Sequence, residues 1–180
     1  MKKVSLFLIT CMISVAAMAQ GYTSLEYYDE TNRATKATNI KEAIVVGTKA
    51  GSMDYSIKME NSQTEFGNGS ISQGIEVRAR KSFDGFYLGG RLGEKITSTE
   101  HFSHYAVDAG VKFPLVSGLI GDVGARYRNA FSSGHAYRTT RGHVGVGYAL
   151  TKQDAVAVRW SRSYGDEEKD AWRLQYTRSF

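Results

Sequence analysis

The sequence predicts an all-β fold: an antiparallel up-and-down transmembrane β-barrel of about ten strands, with eight or twelve strands also possible. Three observations predict this architecture. Apolar and polar residues alternate in steps of two over most of the chain. Each alternating segment is close to the ~9–11 residues that a tilted strand needs to cross a bilayer. Tight turns and longer polar links alternate between the segments, so we expect both ends of the barrel chain on one side of the membrane.

We interpret residues 1–19 as a secretory signal peptide, which leaves residues 20–180 as a single barrel domain. The segment has a basic start, a short apolar run from Val4 to Val15, and the small-x-small cleavage pattern Ala17-Met18-Ala19. The alternative is a lipoprotein, because Leu8-Ile9-Thr10-Cys11 resembles a lipobox, although threonine is large for its position in that pattern.

The strand positions follow from the alternation. In MDYSIKME (residues 53–60), apolar side chains occupy every second position and polar or charged ones the positions between, which a helix would mix. The same test predicts ten strands, over residues 22–30, 41–50, 52–60, 72–82, 85–95, 103–113, 118–130, 137–149, 154–164 and 170–180. The longer polar links between them are residues 31–40, 61–71, 96–102, 131–136 and 165–169.

The C-terminal segment WRLQYTRSF is amphipathic in the same way. It places Trp172, Leu174, Tyr176 and Phe180 on one side of an extended chain, and only Arg178 interrupts that side. With its signal-like start and membrane-length strands, the chain resembles small Gram-negative outer-membrane β-barrels of the OmpA, OmpX and porin type. The resemblance implies a location in the bacterial outer membrane. It also implies that the four apolar residues form the signal that the barrel-assembly machinery reads.

A soluble β-barrel or sandwich is the alternative, because alternation gives two faces without saying which one is buried. Charge in the middle of the polar faces and the terminal Phe180 favour the membrane. Aromatic pairs near strand ends favour it too, because such residues form girdles at membrane interfaces. These pairs are Phe83/Phe86, Phe102/Tyr105, Tyr127/Phe131 and Trp160/Tyr164.

If the polar faces point inward, the barrel encloses many charges, with basic groups in excess. The basic residues expected to line a pore are Arg78, Arg80, Arg91, Lys112, Arg126, Arg128, Arg141, Arg159 and Arg173. The acidic residues expected beside them are Glu26, Asp54, Glu60, Glu76, Asp108 and Asp122. Glycines at the inward positions 89, 110, 124, 145 and 147 are expected to leave room between them.

Two functions fit such an interior. One is a narrow porin-like channel whose unpaired arginines favour small anionic solutes. The other is a non-conducting barrel, in which the charges pair and the extracellular loops contact surface partners or lipopolysaccharide. In either case we expect outer-membrane lipid, lipopolysaccharide and the barrel-assembly machinery as partners.

We expect no enzymatic activity, cofactor, metal or nucleic-acid site. A formal net charge of +5 is too small and too scattered to indicate nucleic-acid binding. His135 and His143 lack the spacing of metal ligands. In His101-Phe102-Ser103-His104 a serine and a histidine could form a nucleophilic pair with an acid such as Glu100, but polar residues are ordinary at a strand mouth. The GDEEKD loop at 165–170 is interpreted as a solvated tip, with divalent-cation binding as the alternative.

Overall fold

The computed structural model describes residues 20–64 and 71–180, which form ten antiparallel strands closed into one barrel. Each strand pairs with its neighbours in the sequence, and β1 closes the barrel against β10. The strands are β1 (Gln20–Asn32), β2 (Thr38–Ala50), β3 (Met53–Thr64), β4 (Ile71–Phe83), β5 (Phe86–Ile96), β6 (His101–Pro114), β7 (Leu119–Ala130), β8 (Thr139–Ala149), β9 (Asp154–Gly165) and β10 (Lys169–Ser179). The predicted all-β up-and-down barrel is therefore confirmed, with the predicted strand number.

Several predicted elements lie outside the described residues. The signal peptide over residues 1–19 and its lipobox alternative fall there, as does most of the link predicted at 61–71. In the described part of the chain, no helix has the length and apolar character needed to cross a membrane.

Strand boundaries differ from the prediction mainly because cross-strand pairing continues past the region of clean alternation. β1 and β2 pair from Gln20 with Lys49 to Thr31 with Thr38, which shortens the predicted 31–40 link to residues 33–37. β8 begins two residues later than predicted, since Tyr137 belongs to the preceding loop. Phe180 lies just beyond β10, although its N–H still donates a 2.9 Å hydrogen bond to the Gly21 carbonyl.

The two ends of the barrel differ in the length of their connections. Both chain ends of the described barrel lie at the same end, which we call the turn end. It carries the connections at 51–52, 84–85, 115–118 and 150–153. Asp84 and Gly85 both have positive φ, as a two-residue type I′ hairpin turn requires. The opposite end, called the loop end, carries residues 33–37, 97–100, 131–138 and 166–168.

The barrel is apolar outside and polar inside, the reverse of a soluble barrel. Large apolar side chains such as Leu88, Val158 and Leu174 are 41–54% exposed on the outer surface. Charged side chains such as Glu30 and Asp108 are at most 2% exposed inside. An apolar outer surface of this extent is unfavourable in water and favourable in contact with lipid, so this distribution of polarity suits a membrane. One predicted girdle residue is wrong: Phe102 points inward and is only 7% exposed.

Candidate functional site

The candidate site is the charged interior of the barrel. All nine basic residues predicted to face inward line its internal spaces or bind carboxylates there. The six predicted acidic residues lie among them. The parity of the strands explains this placement, because every second residue of a strand faces the same side.

The predicted C-terminal assembly residues lie on the other face. Trp172, Leu174 and Tyr176 are exposed on the outside of β10, and Phe180 follows the end of that strand. Their reading by the assembly machinery stays a prediction.

Asp108 shows how the interior charges are organised. Its two carboxylate oxygens accept hydrogen bonds from Arg80 and Arg91, each at 2.8 Å. Arg91 uses a second nitrogen to bind Glu76 at 2.5 Å, so one guanidinium bridges two carboxylates. These groups come from β4, β5 and β6. The register places Arg80 and Asp108 on either side of Gly89, with Arg91 two residues and Glu76 four residues closer to the loop end. A buried charge is tolerated when it is paired and hydrogen-bonded in this way.

A second group lies where β1 and β10 close the barrel. Glu26 accepts a 3.0 Å hydrogen bond from Arg173, lies 3.3 Å from the Lys58 ammonium, and accepts a 2.5 Å hydrogen bond from the Tyr28 hydroxyl. Lys58 also lies 3.1 Å from Glu60. The Glu26 carboxylate is therefore shared between two cations, Arg173 and Lys58, as Asp108 is shared between Arg80 and Arg91.

A third group lies nearer the turn end, around Asp122. Its carboxylate is bound by Arg159 and accepts a 3.1 Å hydrogen bond from the Tyr87 hydroxyl. His143 Nε2 lies 3.1 Å from the same hydroxyl. A Cβ at Gly110 would lie 2.3 Å from that hydroxyl oxygen, so the glycine gives the tyrosine its place. The expectation that the inward glycines leave open room is wrong here, because the Tyr87 ring fills the space.

Sequence reasoning missed several interior groups that complete this network. Glu30, only 1% exposed, pairs with Lys41, Arg141 and Lys169 at 3.1, 3.4 and 3.7 Å. Glu30 has the same parity on β1 as Glu26 and could have been placed inside with it, whereas the weak alternation of β2 gave no signal for Lys41. Tyr22 and Tyr28 were also missed, because a tyrosine by itself does not indicate which face it takes.

Two interior cations stand apart from these ion pairs. Among the described residues, no carboxylate lies within ion-pair distance of Arg126 or Lys112, and the buried Arg126 Nε has no hydrogen-bond partner. Arg126 lies in the middle of β7, and Lys112 lies near the turn end of β6. The interior therefore carries positive charge that its own carboxylates do not neutralise.

Three internal spaces lie along the barrel axis. A vestibule of about 250 Å³ lies at the turn end, where the inward residues of β8 and β9 include Gly145, Gly147 and Ala157. A turn-side cavity of about 170 Å³ lies in the same half of the barrel, and a loop-side cavity of about 60 Å³ lies toward the loop end. Arg159 lines all three spaces, and Arg126 lines both cavities.

The loop end is covered by side chains from the connections. Tyr137, 5% exposed, packs edge-on against Phe102 at a ring-centroid distance of 4.9 Å, and the Arg128 guanidinium lies 3.7 Å from its ring centre. Glu167, from the β9–β10 connection, binds Arg128 at 2.7 Å and Lys95 at 3.3 Å. We call Tyr137 and Glu167, with these partners, the loop-end cap.

Burial and nearby charges shift the pKa of both titratable groups of the loop-end cap, Glu167 and Tyr137. Burial alone would raise the pKa of the Glu167 carboxyl, but Arg128, Lys169 and Lys95 together hold that pKa well below its usual range. Burial raises the pKa of the Tyr137 hydroxyl. Both groups therefore keep their usual charge at neutral pH, with Glu167 ionised and Tyr137 neutral.

The serine–histidine motif at 101–104 is divided between the two faces of β6. His101 and Ser103 are on the outer face, whereas Phe102 and His104 point inward. Glu94 accepts a 2.6 Å hydrogen bond from the Ser103 hydroxyl and is also bound by His101. A nucleophilic serine instead needs its hydroxyl directed at a base. The acid expected beside this pair, Glu100, lies 3.9 Å from His135.

The acidic residues of the GDEEKD loop each have a protein partner. Glu167 belongs to the loop-end cap, Glu168 lies 3.4 Å from Arg33, and Asp170 binds Arg162 through both oxygens. Asp166 accepts a 2.7 Å hydrogen bond from the Arg138 backbone N–H. Over residues 20–64 and 71–180, no three histidine, cysteine or acidic side chains are grouped as a metal ion would need.

No protein-family model matches the chain, and no curated protein matches it in sequence. Solved structures do match its fold. An outer-membrane channel from Pseudomonas putida F1 is 8% identical, with a TM-score of 0.56 over 90% of this chain and 96% of that chain. The translocator domain of the autotransporter NalP from Neisseria meningitidis is 8% identical, with a TM-score of 0.54 over 98% and 96%.

The NanC porin is 9% identical, with a TM-score of 0.51 over 87% of this chain and 100% of that chain. At such low identities a likeness establishes the fold and nothing finer. The chain has the closed antiparallel fold of outer-membrane β-barrels, and the resemblance inferred from its sequence is confirmed at that level.

Proposed function

We propose that the protein is a narrow, porin-like channel of the bacterial outer membrane, whose basic interior favours small anionic solutes. One observation carries the proposal: the internal spaces are lined by more basic than acidic side chains, and Arg126 and Lys112 have no carboxylate partner among the described residues. Uncompensated positive charge in a narrow, low-dielectric passage lowers the energy of an anion there and raises that of a cation.

The size of the internal spaces limits the solute. Spaces of about 60 and 170 Å³ are below the ~300–1,000 Å³ of sites for drug-sized ligands. Small inorganic or carboxylate anions fit this interior better than oligosaccharides do. The apolar outer surface supports placement in the outer membrane, where lipid and lipopolysaccharide would contact it.

The test is the ion selectivity of the protein in a planar lipid bilayer. Under a salt gradient, discrete conductance steps should give a reversal potential that indicates anion selectivity. Changing Arg126 and Lys112 together to glutamine should move that potential toward non-selectivity. Arg162→Gln is the matched control, because this arginine binds Asp170 on the outer surface and should not affect selectivity. Cation selectivity of the unchanged protein would contradict the proposal.

The second candidate is a non-conducting barrel that acts through its extracellular loops. The loop-end cap favours it, because Tyr137 and Glu167 cover the loop end of the barrel. Absence of conductance from protein whose folding has been verified by its heat-modifiable migration would support this candidate over the channel.

A further inference from the structure

Arg126 is the most unusual of the interior cations. It lies midway along β7, and its side chain lines both the turn-side and the loop-side cavity. A guanidinium has five N–H donors. Among the described residues none of them makes a hydrogen bond to a protein acceptor, and Nε is shut off from solvent.

The neighbouring carboxylates are already engaged. Asp108 is held by Arg80 and Arg91, and Glu76 by Arg91 at 2.5 Å with His104 at 3.7 Å. Asp108 lies directly opposite Arg126 in the β6–β7 register, but its two oxygens bind Arg80 and Arg91 and it forms no ion pair with Arg126. Leaving a buried charged donor without any acceptor is unfavourable. An acceptor from outside the protein is therefore expected at this position.

We propose that Arg126 is the centre of an anion-binding site for a small oxyanion, such as a free phosphate or carboxylate. This deepens and rests on the proposed function, since it places a binding site for the anion inside the proposed channel. Arg159 and Arg173 line the same two cavities, so an anion beside Arg126 also has their positive charge nearby. Both are engaged, Arg159 with Asp122 and Arg173 with Glu26, whereas Arg126 is free to receive the anion.

The chemistry of the ligand follows from the donor. A guanidinium presents parallel N–H groups that match two oxygens of one phosphate or carboxylate, which a spherical chloride cannot match. The site should therefore prefer phosphate to chloride. The cavities of about 60 and 170 Å³ restrict the ligand to small members of this class.

Binding can be measured without conduction. The full protein, purified from membranes of an expressing Gram-negative host, would be titrated with inorganic phosphate by isothermal calorimetry in a zwitterionic detergent. The unchanged protein should bind about one phosphate, with chloride competing weakly. Arg126→Gln should weaken phosphate binding by roughly 10-fold or more, the loss expected for a charge-assisted hydrogen bond.

Arg128→Gln is the matched control. This arginine lies two residues along the same strand and also faces inward, but it is paired with Glu167 at 2.7 Å. Its replacement should weaken phosphate binding by less than about 3-fold, since it removes charge without removing the free donors. If Arg126→Gln does not fold, Arg126→Lys keeps the charge and should lose the preference for phosphate over chloride.

The outcomes separate this inference from the channel proposal. Absence of phosphate binding to the unchanged protein, or equal weakening by the Arg126 and Arg128 variants, would overturn the site. An Arg126→Lys protein with an unchanged phosphate preference would overturn it as well. Anion-selective conductance together with any of these results would support the channel proposal and reject the Arg126 site. Phosphate binding that depends on Arg126 in a non-conducting protein would support the site and reject the channel.

Discussion

The orientation of the two barrel faces can be tested with neighbouring residues of β9. Val158 points outward, is 41% exposed, and lies between Val146 and Leu174 on the adjacent strands. Ala157 points inward and lines the vestibule. Replacing each by arginine places the same charge on opposite sides of one strand.

The expected cost follows from the position of Val158. It lies four residues from the start of β9 at Asp154, or about 13 Å along the strand. With a strand tilt of about 40°, this is about 10 Å in height, close to the middle of an apolar band that is ~25 Å tall. Val158→Arg should therefore lower the free energy of unfolding by ~2–4 kcal/mol. Ala157→Arg should cost less, because its side chain enters a water-accessible space of about 250 Å³.

The assay is urea unfolding in lipid vesicles, followed by tryptophan fluorescence. The two tryptophans of the chain, Trp160 and Trp172, are paired across β9 and β10, so both report on the strand that carries the changes. Equal losses for the two variants, or a larger loss for Ala157→Arg, would refute the assignment of the outer face to lipid.

Two further predictions concern the loop-end cap. Tyr137→Ala should increase the single-channel conductance while leaving its ion preference in place, because it removes a ring that covers the loop end without removing a charge; an unchanged conductance would show that the ring does not limit the passage. Glu167→Gln should lower the free energy of unfolding at neutral pH by ~1–3 kcal/mol, because Arg128 and Lys95 lose their carboxylate. The pKa of Glu167 in the folded protein lies well below the ordinary 4.5, so its contribution is fully present above pH 4.5 and is lost as the pH falls through the folded pKa. Urea unfolding at pH 7 and at acid pH should therefore show the two proteins converging, and a constant difference would count against the assignment.

The alternation of side chains predicted the strands and the direction of the interior charges with little error. A strand has only two faces, so one clear stretch of alternation orients every residue in it, as for Arg126 and Arg128 on β7. The partners of those arginines were not predictable in the same way. Arg128 is on β7, whereas its partner Glu167 is in the β9–β10 loop, with β8 and β9 between them in the sequence. Such a contact depends on the strand register, the closure of the barrel and the path of the loop together.

The errors have a common physical origin in the loops and at the strand ends. Tyr137 was assigned to a strand and Phe102 to a membrane girdle, but the two rings pack against each other inside the loop end. Near a strand end an aromatic side chain can take either face, because the membrane interface and a covered barrel mouth both accept amphipathic rings. Alternation cannot distinguish the two environments, whereas the closed structure does.

The uneven charge of the interior is itself an argument about function. Replacing a buried ion pair by apolar residues of similar size is often neutral or stabilising, so a barrel that serves only as an anchor has no need of an ion-pair network. An unpaired cation is more unfavourable still, because its desolvation is not compensated by a partner. Arg126 is such a cation in the described barrel, while Asp108 and Glu76 beside it are already bound by other groups. The unfavourable energy of this arrangement falls when an anion binds, and that coupling between charge and occupancy is what an anion-selective passage requires.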